Sequence, residues 1–163
     1  MSLSEIIPPK DPRLVEKFEL SEELDALAKQ IISAHDESLK DVELFSVKFM
    51  FTNRKLSHDA AQCWRVADQF RFLYGLDFLI LVFHEDWETK TFDEKAAILI
   101  HEIFHCRDSR KPRDIERNVF PKPAIRRHSA NVDFCEKPEH DEFSRKTLAR
   151  IRKKMNWKPT IET

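Results

Sequence analysis

A single glycine in 163 residues is the first constraint this chain imposes. Gly75 alone cannot build a phosphate-cradling loop or a dinucleotide fingerprint, which need several glycines to bring backbone against phosphate. That argues against nucleotide-dependent chemistry. Cysteine is nearly as scarce. Cys63, Cys106 and Cys135 are an odd number without framework spacing, which points to a reducing, cytoplasmic setting. No run approaches the ~18 apolar residues of a membrane span, and the N-terminus lacks the apolar stretch of a signal peptide. The formal net charge is -1, so no global field recruits nucleic acid or an acidic membrane. Internal repeats and low-complexity tracts are missing too.

What is present reads as one globular domain. Hydrophobic residues make up 41% and charged residues 35%, the balance of a soluble protein with a real core. Thirteen phenylalanines against one tyrosine imply a closely packed interior. Residues 1–19, with Pro8, Pro9 and Pro12, read as an N-terminal arm, and 20–158 as the domain. Within it, 108–138 is a long proline-containing connector with no periodicity, of the kind that covers a cleft.

The periodicity predicts alternating elements. Ser21 is positioned to cap a helix through about His35, with Leu24, Leu27, Ala28, Ile31 and Ile32 on its buried face. His35 falls at that helix's end and reads as structural. Val42 to Thr52 switches to period two, a strand with Phe45, Val47, Phe49 and Phe51 on one face. A second strand is expected over Gln62–Asp68, with Trp64 and Val66 on one face. A helical turn ended by Gly75 follows. Asp77–His84 is a continuous apolar run, expected to be a strand covered on both faces. A last helix resumes near Glu139 and ends near Trp157. Its basic face (Arg145, Lys146, Arg150, Arg152, Lys153, Lys154) reads first as solvated surface.

The stretch that carries chemistry is Phe92–Cys106. Thr91 and Glu94 form a capping box, and no proline or glycine interrupts Phe92–Lys111. On that helix His101 and His105, four apart, project from one face, a spacing that lets two imidazole nitrogens bind one tetrahedral Zn²⁺. Glu102 lies about 100° around the helix from His101, placed to take a proton from water rather than to ligate. Two histidines and a glutamate in an apolar helix would be costly to bury without partners, which favours a metal site over structural histidines.

Two histidines do not hold zinc alone, since a catalytic site has three protein ligands. An extended metzincin motif would need glycine at 108 and histidine at 111, and the chain has Asp108 and Lys111. The remaining candidates are His140 first, Glu142 second as an oxygen ligand, and His128 third. Cys106 follows His105 directly and points off the ligand face, as a small buried residue. His58 and His84 carry nothing beyond generic histidine expectation.

The order Ser21-Glu22-Glu23-Leu24-Asp25, Leu76-Asp77-Phe78-Leu79-Ile80, Ala96 through Cys106, then His140-Asp141-Glu142-Phe143 resembles the phage-type metallopeptidase domain. More distantly it is similar to the SprT-like and WLM zinc peptidases. The resemblance spans roughly residues 20 to 157. It implies a zincin-like fold, peptidase activity and a third histidine before a phenylalanine at the start of a late helix, matched by His140 and Phe143. The expectation is therefore an α+β, zincin-like domain: a small, mostly antiparallel sheet packed against the His101 helix, with flanking helices. Its expected chemistry is zinc-dependent peptide hydrolysis, with Zn²⁺ on His101, His105 and His140, and Glu102 as general base. The expected partner is a peptide or protein substrate, held in part by pairing to an edge strand, and not a membrane. Two rival classes remain: a catalytically silent, zinc-stabilised interaction protein, and a DNA-associated factor using the basic last helix.

Overall fold

The fold is that of a computed structural model, which describes residues 17–54, 60–108, 139 and 141–157. His58, His128, Cys135, His140, residues 1–16 of the arm and residues 109–138 of the connector lie outside the described residues.

Four strands form one sheet in the order β1-β2-β4-β3. β1 (Phe18–Leu20) runs antiparallel to β2 (Val47–Thr52), β2 runs parallel to β4 (Phe78–Phe83), and β4 runs antiparallel to β3 (Ala61–Arg65). Two of the three pairings are antiparallel, so the architecture is α+β with a small mixed sheet. Phe18 and Glu19, read in sequence as the end of the arm, instead begin the edge strand β1.

Register explains the core. Phe49, Ile80 and Cys63 stand abreast on neighbouring strands, as do Phe51, Val82 and Ala61. All six are buried, giving one continuous apolar face. β4 departs from the expected two-sided burial. Phe78, Ile80 and Val82 are buried, while Leu79, Leu81 and Phe83 are only half-covered. The apolar run reflects β4's place between two neighbours, with helices sealing one face. β2 is also shorter than the periodicity suggested, because Val42–Leu44 turns as a short 3-10 segment before the strand.

Among the described residues the first helix, α1 (Glu22–Ser33), starts as its residues require. Ser21 has extended backbone, and its hydroxyl accepts the Leu24 N–H at 3.1 Å. α2 (Asp68–Tyr74) ends on Gly75 at φ 67°, a left-handed position that glycine adopts without a Cβ penalty. The short α3 (His84–Glu88) leads from β4 to α4 (Phe92–Asp108).

α4 is the centre of the molecule. Its capping box forms reciprocally: the Glu94 N–H donates to Thr91 Oγ1 at 3.2 Å, and the Thr91 N–H to Glu94 Oε1 at 3.1 Å. From Ala96 to Cys106 every residue but Phe104 is buried. A helix enclosed on all sides has no polar stripe to turn outwards, so only small and apolar residues suit it. Ile98, Leu99, Ile100 and Ile103 each contribute about 1.5–3 kcal/mol of burial there.

The last helix, α5 (Glu142–Met155), packs against α4 and is fastened at several points. Phe143 meets Phe104 with ring centroids 4.4 Å apart, and Trp157 meets Phe92 at 5.7 Å. Arg152 grips both carboxylate oxygens of Asp93, at 2.9 and 2.7 Å. Arg150 does the same to Asp36, at 2.9 and 3.1 Å. Fork-to-carboxylate geometry fixes orientation as well as distance.

Candidate metal centre

Placing charge-bearing side chains inside a sealed helix costs several kcal/mol per group unless partners offset it. Three such residues sit in α4: His101 and Glu102 are 0% exposed and His105 is 1% exposed. The one-turn separation of the two histidines brings their Nε2 atoms to 3.1 Å, with the rings at 82° to each other. Glu102 Oε1 lies 3.9 Å from His101 Nε2. The three residues can offer ligand atoms within 4.8 Å of one another.

That arrangement fits a metal ion. Two nitrogens bound to a tetrahedral Zn²⁺ at 2.0–2.1 Å each would stand about 3.3–3.4 Å apart, so a shift of a few tenths of an ångström suffices. The donor set of two imidazoles with a carboxylate at hand is also the chemistry such ions prefer.

Asp141 completes the surroundings and escaped the sequence reading as a site residue. It is 5% exposed, and its Oδ2 lies 3.1 Å from His101 Nδ1, the nitrogen on the far side of the ring from His105. Its Oδ1 accepts the Phe143 N–H at 2.8 Å, making Asp141 the N-cap of α5. The available signal was an aspartate directly before the periodic run of a helix, which predicts a cap but not a buried partner. Just before it, Glu139 Oε1 accepts from Lys90 Nζ at 3.0 Å, and both side chains are largely buried. Burial pulls the Lys90 pKa down, but the Glu139 hydrogen bond and charge outweigh it and leave the pKa raised.

The other candidates divide plainly. Glu142 is 74% exposed on its side chain and binds Lys146 Nζ at 2.9 Å, which lowers its pKa. Its carboxylate is therefore engaged at the surface, while His101 and His105 are buried. His84 pairs with Glu88 at 3.1 Å and His35 lies 3.8 Å from Glu43, both at the surface. Cys106 is fully buried with its Sγ 3.7 Å from Cys63 Sγ, tying α4 to β3 as a small packed residue. His140 and His128 fall outside the described residues.

The family described as "Putative phage metallopeptidase" matches residues 16–154. The chain belongs to that family. For this metallopeptidase-family chain, membership implies a metal and a peptide or protein substrate, and the buried group on α4 can hold the metal. No curated protein and no solved structure gives a significant match. Among the described residues, no helix is long and apolar enough to cross a membrane.

Proposed function

We propose that this chain is a zinc-dependent peptidase in a zincin-like fold, with His101, His105 and His140 as metal ligands and Glu102 as general base. The observation that carries the reading is the pair of Nε2 atoms at 3.1 Å on a sealed helix, with a glutamate of the same helix beside them. His140 is favoured because both of its chain neighbours are tied near α4, Glu139 to Lys90 and Asp141 to His101. Glu142, the oxygen alternative, is engaged with Lys146 at the surface.

Zinc held by these residues would supply Lewis acidity, polarising a carbonyl and making water acidic near pH 7. Glu102 accepts the proton as water adds to the carbonyl carbon, then passes it to the departing amine nitrogen. His101 and His105 are both carried on the buried turns of α4. Among the described residues β3 is an edge strand that packs on α4 through Cys63 and Cys106, which makes it the strand nearest the site against which an extended peptide would pair.

The test is Glu102→Gln, which keeps shape and removes the base. Wild type and variant are incubated with a mixed peptide library, with and without chelator, and cleavage is read by mass spectrometry. Zinc binding should persist in the variant while hydrolysis falls by ~10²–10⁴-fold, the usual contribution of general acid–base catalysis. Cleavage that is unchanged in Glu102→Gln, or that survives chelation, would refute the mechanism.

A further inference from the structure

We infer that Asp141 is a positioning residue that selects the tautomer of His101 and so aims a bare Nε2 lone pair at the metal. The inference rests on the zinc-site reading above. It starts from the two faces of one imidazole: Nδ1 lies 3.1 Å from Asp141 Oδ2, and Nε2 lies 3.1 Å from His105 Nε2. A carboxylate has no hydrogen to give, so the proton of a neutral ring sits on Nδ1. Nε2 is then an acceptor only, the form a metal requires.

The second oxygen of Asp141 is committed elsewhere. Oδ1 accepts the Phe143 N–H at 2.8 Å, so the carboxylate cannot rotate away without uncapping α5. The helix it caps is itself clamped to the domain by the Arg152–Asp93 and Arg150–Asp36 pairs. One aspartate therefore fixes both a helix start and a ring orientation, and both of its oxygens are used.

That division of labour defines the experiment. Asn at this position has a single carbonyl oxygen. If the oxygen keeps the cap, the amide NH₂ faces Nδ1, which must then accept, and the proton moves to Nε2. Ser keeps a capping oxygen but is too short to reach His101. Long-range ¹⁵N–¹H spectra of the metal-free full chain report the His101 tautomer directly. Wild type should show Nδ1–H, Asp141→Asn should show Nε2–H, and Asp141→Ser should lose the fixed form while helix content by circular dichroism is kept. Zinc affinity, measured by competition with a chromophoric chelator, should fall about 10- to 100-fold in Asp141→Asn.

An Nε2–H tautomer in the wild type overturns the inference without any variant having to fold. An unchanged tautomer in a folded Asp141→Asn overturns it as well. The tautomer readout needs no metal, so a wild type that binds no zinc refutes the zinc reading while the spectra still decide the role of Asp141.

Discussion

Asp36 is the group whose titration is easiest to follow into stability. Burial pushes its pKa up, but hydrogen bonds from Arg150 and Ser38, with the Arg150 charge, outweigh this and bring it down from 3.8 to about 2. A depressed folded-state pKa contributes stability that is fully present above the unfolded value and lost as pH falls through the folded one. The window is therefore pH 4 down to 2. The shift corresponds to at most about 2.5 kcal/mol. Arg150 is 54% exposed, so solvent screening reduces this to about 1–2 kcal/mol. Asp36→Asn isolates the charge, because the amide oxygen can still accept the Ser38 N–H that Asp36 accepts at 3.0 Å. Urea melts at pH 7, 5, 4 and 3 should place the variant about 1–2 kcal/mol below wild type at pH 7. About half of that gap should be gone by pH 3. A gap that stays constant across this range, or that widens on acidification, would refute the assignment of the stabilisation to the Asp36–Arg150 pair.

Three further outcomes are expected. His101→Ala should take up little zinc even after reconstitution, as elemental analysis against wild type would register. His140→Ala should weaken zinc binding far more than Glu142→Ala or His128→Ala, since Glu142 is turned to Lys146 at the surface; chelator competition on the three variants ranks them. Ile98→Ala, at a position 0% exposed in the middle of α4, should cost about 2–5 kcal/mol in urea unfolding.

The elements most legible in sequence were those governed by neighbours in the chain. The Ser21 cap, the Thr91–Glu94 box and the Gly75 stop are short-range chemistry, and each forms with the partners its spacing predicts. The convergence of His101 and His105 is likewise a property of one helix. What stayed hidden depends on distant contacts. β1 exists only because Phe18–Leu20 finds the edge of β2, and β4's half-covered face depends on which side the helices seal. Asp141 went unread even as a cap because the last helix was expected to start at Glu139, and its bond to His101 spans forty residues, which no local pattern encodes.

That span bears on when the site can exist during synthesis. The bond from Asp141 to His101 crosses forty residues, and the clamp from Arg150 to Asp36 crosses 114. Contacts so far apart form late, because the closure entropy comes before any reward from the contact. A chain emerging N-terminus first at about 5–20 residues per second can assemble the sheet and α4 before α5 has been made. For those seconds Glu102 and His101 are present, but the Asp141 carboxylate that meets His101 is not yet in place. The contact that joins the two ends of the site is thus the last of its parts to be made, and it waits on the docking of the last described helix.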